Sequence, residues 1–308
     1  MPLSSSAKAW LFRLLIGLLV VMLLGTAIMV YKMRSYGFWR SPVYEIDAPQ
    51  VPDLKRPAVL VFSKTNSFIH KEAIPAAEEL LQQLGNKNGW SVYVTENGAV
   101  HNLQDLARFD AIVWNNVTGD VLTPEQRSAM RQWLENGGGW VGLHGAGDSS
   151  SDWDWYIDSL VGARFTAHPF PEQFQQATLQ PESADPIVAH LPRPWQRTDE
   201  WYSFAASPRG KGFTVLTTLD ETTYNPDFRG QDLRMGDDHP VIWKHCVQRG
   251  RALYSALGHT AESYREPAYT QLLEAGVSWA AGLGDRGCQQ VPESPAPNPL
   301  RPQVPVPK

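Results

Sequence analysis

Cysteine is nearly absent from this 308-residue chain: there are two, Cys246 and Cys288. Two thiols so far apart form no metal motif. They are either buried thiols or, if the domain is exported, one disulfide pinning the C-terminal tail to the body. Basic residues are not in surplus either. Lys and Arg number 27 against 32 Asp and Glu, a formal net charge of −5. With no basic stripe to neutralise phosphates, nucleic acid is not an expected partner. The chain has no internal repeat and none of its eight His stand at His-x-x-x-His spacing, so no cofactor is expected from motif. A divalent metal is the alternative, should His144, His259 and a carboxylate converge.

A long apolar run occurs once. Leu14 to Tyr31 is uninterrupted by charge and about long enough to span a bilayer core, and Leu11 and Phe12 extend it if Arg13 snorkels. The expected contact with membrane is therefore residues 11–31. Lys8 and Arg13 precede the run and Lys32, Arg34 and Arg40 follow it, so the positive-inside balance is nearly even. The small residues Gly25-Thr26-Ala27 are followed by further apolar residues, Ile28 to Val30, which argues against cleavage there. The reading is an uncleaved signal anchor in the inner (cytoplasmic) membrane, with a single pass and the domain on the periplasmic or extracellular side. A domain held on the cytoplasmic face is the alternative.

These features divide the chain into an anchor (1–33), a proline-containing stalk (34–56), one α/β domain (57–283) and a disordered Pro-rich tail (284–308). Within the domain, Ala58 to Phe62 reads as a buried strand. A helix from Ile69 follows, stopping at Gly85. Strands at 90–95 and 111–114 come next, with a short helix near 103–108 between them. Thr123-Pro124-Glu125-Gln126 opens a helix with a Thr cap, Pro at its first position and Gln three residues after the cap. Strand-helix alternation over this half predicts a parallel, doubly wound sheet. Later strands are expected near 175–179, 198–204, 215–219, 241–244 and 251–257, and a last helix over 268–281. Twelve Trp and ten Tyr exceed what an average core needs; they fit stacking on sugar rings or ordinary packing equally.

The densest signal is Gly137-Gly-Gly-Trp-Val-Gly-Leu-His144-Gly-Ala-Gly147. Trp140, Val141 and Leu143 read as a short buried strand whose flanking glycines permit a tight strand-to-loop elbow. His144 then stands at the strand's carboxyl end, where open α/β sheets bind ligands. Elbow hydrolases place their nucleophile there; an imidazole in that position points to acid/base or ligand-holding work.

Ser67-Phe-Ile-His70, the elbow, Thr198-Asp-Glu-Trp-Tyr202, Asp238-His-Pro-Val-Ile-Trp243 and Gly250-Arg-Ala-Leu-Tyr-Ser-Ala-Leu-Gly-His259 follow one another in order. Together, over residues 58–283, they resemble the ThuA-like, or trehalose-utilisation, family. The resemblance implies a class I glutamine amidotransferase-like fold: α/β, with a flavodoxin-like, doubly wound, mostly parallel sheet and helices on both faces. It also implies a link to sugar metabolism, often beside oxidoreductases acting on keto-sugars. Amidotransferases of that fold carry a cysteine at the elbow and a histidine after a later strand. Here those places belong to His144 and His259, and neither cysteine lies near an elbow pattern, so glutamine hydrolysis through a thioester is excluded.

Position and resemblance together make His144 and His259 the expected proton-transfer pair, with Glu200 as the carboxylate that orients one of them or accepts a sugar hydroxyl. Asp199 and Glu200 are adjacent on a strand, so one is expected in the site and the other in solvent. His70, Asn115, Thr118, Asp199, Tyr202, His239 and Trp243 are the expected substrate-binding residues. His168, His190, His101 and His245 rank below them. The expected activity is an isomerase, lyase or hydrolase acting on a small carbohydrate or keto-sugar. The alternative is a noncatalytic carbohydrate-binding module at the membrane surface, and a tethered structural domain is a third reading.

Overall fold

The computed structural model describes residues 4–182, 184–284 and 288. Helix α1 runs from Ser5 to Ser35, about 46 Å at 1.5 Å per residue, and none of its residues is buried. It is long and apolar enough to cross a membrane. The domain then alternates β1 (Ala58–Phe62), α2 (Ala73–Asn88), β2 (Ser91–Thr95), α3 (Leu103–Leu106), β3 (Ala111–Asn115), α4 (Pro124–Glu135) and β4 (Gly139–Leu143). Its second half carries β5 (Phe165–Ala167), β6 (Phe174–Pro181), β7 (Trp195–Glu200), β8 (Ser203–Phe204), β9 (Thr214–Asp220), β10 (Asp227–Phe228), β11 (Gln231–Asp232), β12 (Pro240–Val247), β13 (Gly250–Ser255) and α5 (Pro267–Ala280).

Nine strands form one sheet in the order β2-β1-β3-β4-β13-β12-β9-β6-β7. Pairings from β2 to β13 are parallel and those from β13 to β7 antiparallel. The α/β, doubly wound core is as expected, and the sheet as a whole is mixed. β1 connects outward to β2 while β3 connects the opposite way to β4; right-handed crossovers therefore set α2 and α4 on opposite faces. α5 packs on β3, β4 and β13 and, with α2, meets the turn at Ser263–Arg265, whereas α3 packs on α4.

Local rules account for most boundaries. β1, β3 and β4 are buried along their whole length, which is why they read as continuous apolar runs. α4 closes the expected capping box: the Gln126 N–H donates to Thr123 Oγ1 and the Thr123 N–H to Gln126 Oε1. α2 passes the expected stop at Gly85 and ends at Gly89, whose φ of +72° supplies the left-handed cap. Gly85 is there for contact, since a Cβ would come within 2.5 Å of Val92.

Residues 40–56 do not stand away from the domain as a free stalk would. Arg40 donates to the Thr65 and Ser67 carbonyls, Glu45 pairs with the buried Lys64 and accepts from the Gly98 N–H, and Arg108 donates to the Val51 and Pro52 carbonyls. The segment runs from the carboxyl edge of the sheet, at Thr65, Ser67 and Gly98, to its opposite edge, at Arg108 and Asp110. Cys246 and Cys288 are disulfide-bonded, their Cα atoms 5.5 Å apart, which ties β12 to the chain beyond α5. The expected disordered tail, Gly284 and Cys288 excepted, lies outside the described residues.

His101, ranked low as a site residue, is a core histidine. Trp114 Nε1–H donates to its Nε2 at 3.3 Å and its Nδ1 meets the Gly98 carbonyl at 3.1 Å, which fixes a neutral ring. Burial pushes its pKa down to about 4, against about 6.5 when unfolded. Its contribution is complete above the unfolded value and is lost as pH falls from there through the folded one. The loss is about 3 kcal/mol. Urea titrations at pH 7.5 and pH 4 should show His101→Gln losing less stability on acidification than the parent by about that amount; an equal loss would contradict the assignment.

Candidate metal centre

The parallel strands β1, β3, β4 and β13 deliver their following loops to one edge of the sheet. Each antiparallel step reverses direction, so β7 again points its carboxyl end to that edge. In a flat sheet β7 would lie about 19 Å from β13, four strand spacings away. Yet Asp199, in β7, accepts from the Gly258 N–H, just beyond β13, at 2.9 Å. The antiparallel half therefore curls back over the edge and sets the end of β7 against the loops after β4 and β13.

That curl closes a buried cluster. His144 Nε2 lies 3.1 Å from Glu200 Oε2 and 3.0 Å from His259 Nδ1, and His259 Nδ1 lies 2.9 Å from the same oxygen. Ligand atoms of His70, His144, Glu200 and His259 all fall within 4.8 Å of one another. His144 is fully buried with φ of +43°, a left-handed conformation that costs a residue other than glycine of the order of 1–3 kcal/mol. Here the histidine, not a flanking glycine, makes the elbow. Its Nδ1 lies 2.7 Å from the Ala256 carbonyl, which only accepts, so Nδ1 carries the proton and Nε2 presents its lone pair to the cluster. Metal-bound histidines are oriented by this same backbone bond. His70 brings a buried Nδ1 with no hydrogen-bond partner, an expense that a bound cation would remove. Gly145 lets the rings meet: a Cβ there would come within 2.9 Å of the His70 ring and 3.0 Å of Thr118.

The electrostatics favour a cation. Burial acts first on His70, His144 and Glu200, and its outcome differs with the neighbours. It drives His70 well below its ordinary pKa, and the positive charge available to His144 and His259 adds to that. Burial opposes charge on His144 as well, but the hydrogen bond and charge of Glu200, then Asp199, outweigh it and raise the pKa. Glu200 would be raised by burial; the His144 and His259 rings, which donate to it when protonated, hold it well below the carboxylate range. The set is one ionised carboxylate among imidazoles, three of its atoms about as close as ligands around a tetrahedral ion with ~2.0–2.2 Å bonds.

Of the expected substrate-binding residues, only His70 enters the cluster. Both Asp199 and Glu200 are buried, contrary to the alternation expectation. Asp199 accepts from the Gly258, His259 and Glu200 N–H groups and from Arg197, so it positions His259 and has no oxygen left for a ligand. Asn115 bridges Ser63 and the Ile74 carbonyl, and Thr118 donates to the Phe68 carbonyl; both pin the loop that carries His70. Tyr202 packs its ring 4.3 Å from that of His144 as a wall. His239 spends its ring nitrogens on Glu221 and the Tyr202 carbonyl, and Trp243 donates to the Val161 carbonyl from the core. These two are corrections: neither has a group free to meet substrate.

Residues outside that set also reach the site. His168 Nδ1 is 3.3 Å from Glu200 Oε1, and Gln173 donates to the same oxygen. Asp148, four residues past His144, reaches solvent, yet the protein around its carboxyl raises its pKa to about 6, with Glu200 adding and His144 opposing. An acidic group titrating there is suited to proton transfer. The spacing of Asp148 from the elbow was a signal that could have been read.

The model of the ThuA family, trehalose utilisation, matches residues 58–280. The chain belongs to the ThuA family. A ThuA-like protein from Bacteroides uniformis aligns at 24% identity and TM-score 0.64 over 75% of this chain and 94% of its own. A second, from Parabacteroides merdae, aligns at 18% identity and TM-score 0.56 over 74% and 90%. These likenesses establish the ThuA fold for the domain. Comparison with curated proteins finds no match.

Proposed function

We propose that this ThuA domain is a membrane-anchored enzyme that holds a divalent metal on His70, His144, Glu200 and His259 and acts on sugars or keto-sugars. The observation that carries the reading is the convergence of three potential ligand atoms within 3.1 Å of one another, beside a fourth residue whose buried nitrogen has no partner. It replaces the expectation of a bare histidine acid/base pair. His144 is fully buried, its Nδ1 is committed to a carbonyl and its Nε2 to the cluster, so it has no titrating position to offer a substrate. A bound divalent ion would supply Lewis-acid polarisation of a carbonyl or hydroxyl oxygen.

The chain's own residues divide the remaining work. Glu200 and the three imidazoles would hold the ion, Gln173 and His168 orient the free oxygen of Glu200, and Asp148 takes or returns the proton of a carbon next to a keto group. The sugar reading rests on the family's description, trehalose utilisation. Export is favoured by the Cys246–Cys288 bond, which persists in oxidising compartments. The test is to incubate zinc- or manganese-loaded full-length protein with disaccharides and their 3-keto derivatives, following products by NMR. Turnover that disappears with Asp148→Asn supports an enzyme; saturable binding without product would favour the carbohydrate-binding alternative.

A further inference from the structure

Outside α1, large apolar side chains are exposed along residues 36–46, at Phe170 and Phe174, and at Leu103 and Leu283. Tyr36, Phe38, Trp39, Phe170 and Phe174 are each at least 38% exposed, and contacts join most of them to the metal centre. Tyr36 and Phe38 pack on Phe68 at 5.8 and 6.0 Å, Phe68 lies 6.2 Å from the His259 ring, and Phe174 lies 5.0 Å from His259. Phe170 and Phe174 belong to the segment that also carries His168 and Gln173, both at Glu200. Aromatic side chains from two segments of the chain thus meet the His259 ring.

One of these segments is joined to the apolar helix. The Ile69 N–H donates to the Tyr36 carbonyl at 2.9 Å, Lys71 Nζ donates to Ser35 Oγ at 2.9 Å, and Arg40 holds the Thr65 and Ser67 carbonyls. Trp39 is held 63% exposed at φ of +59°, a strained presentation for a large side chain. From Tyr31, where the apolar run ends, to His259 is at most about 25 Å, taking 1.5 Å per helical residue, the reach of the Tyr36 side chain and the ring contacts above. Cations sit among these rings: Lys71 lies over Tyr36, and Arg229 lies over Phe170 and Phe228. Exposed aromatics interleaved with Lys and Arg are the composition that settles at the headgroup level of a bilayer.

We propose that the metal centre opens onto the bilayer surface and takes an amphiphilic glycoside from it, the sugar at the centre and the alkyl portion among Phe38, Trp39, Phe170 and Phe174. This rests on the reading of the centre as a sugar site. Water-soluble sugars need no apolar rim, whereas a chain-bearing glycoside would bury its first methylenes there.

The experiment uses full-length protein in phospholipid nanodiscs. Bimane on Phe174→Cys should be quenched by doxyl-labelled lipid, while bimane on Leu103→Cys should not. Leu103 shares a groove with Gly137 and Gly138, which precede β4, and so lies at the opposite edge of the sheet. In calorimetry, hexyl β-glucoside should bind at least about tenfold more tightly than methyl β-glucoside. The preference should fall to within twofold in Phe170→Ser/Phe174→Ser. No quenching at Phe174, equal quenching at Leu103, an alkyl chain without effect, or a preference that survives the double substitution and so reflects partition alone would each overturn the proposal. The metal content of the same samples reports separately on the centre: metal retained by the double variant would show that the lost preference belongs to the rim.

Discussion

Glu200→Gln should strip a divalent metal from the protein while leaving it folded. Glu200 Oε2 lies within 3.1 Å of both His144 and His259 and is the only carboxylate among the four candidate ligands. Glutamine keeps the shape and one oxygen but removes the charge that offsets the cation. Dividing the ~10–16 kcal/mol typical of a four-ligand structural zinc site among its ligands puts one ligand at roughly 3 kcal/mol, so affinity should fall at least about a hundredfold. Protein dialysed against buffered zinc and analysed by mass spectrometry should retain about one equivalent in the parent and none in the variant. Near-unchanged cooperative unfolding would show that the loss is local. Equal retention by both would mean that the metal, if any, is held elsewhere.

The second large effect belongs to Asp199. Its carboxylate holds the N–H groups of Gly258 and His259 and pairs with Arg197 at 3.0 Å, and both charged groups are buried. Asp199→Ala leaves that guanidinium among Trp195, Tyr269 and Ser263 with Glu266, 3.4 Å away, as its remaining acidic neighbour. Breaking one side of a buried pair typically costs about 3–5 kcal/mol, and denaturant titration should show a loss of that size. Adding Arg197→Met removes the stranded charge and should restore much of the stability. It should not restore metal affinity, because the His259 backbone remains unpinned. Recovery of both together would place Asp199 in the fold alone.

The two halves of the chain were unequally legible. β1, β3 and β4 announce themselves because a strand buried on both faces is a continuous apolar run, and α4 because its cap, proline and glutamine stand at fixed offsets. His144 and His259 could be placed at carboxyl ends of strands from local pattern. Nothing local reveals that β7, four strands from β13, curls back to set Glu200 between them, or that His70 joins them from the first βα loop. Ligand spacing in sequence failed as a metal signal for the same reason: the four residues come from four separate loops and strand ends. The charged pair at 199–200 misled the alternation rule, since Asp199 points into protein that the curl brings over it and not into solvent. Residues 34–56 read as a stalk from their prolines, whereas the binding of 40–56 to the domain depends on side chains such as Asn66 in the loop after β1 and Gln126 in the first turn of α4.

The most direct test of the account is zinc K-edge X-ray absorption on the full-length protein carrying one equivalent of zinc after dialysis. The account predicts four protein nitrogen and oxygen ligands at roughly 2.0–2.2 Å, with a fifth position left to water or substrate, and outer-shell scattering from three imidazoles. That imidazole signal should diminish in His70→Ala. A shell of water oxygens without imidazole scattering, or zinc lost on dialysis, would contradict a metal held by His70, His144, Glu200 and His259.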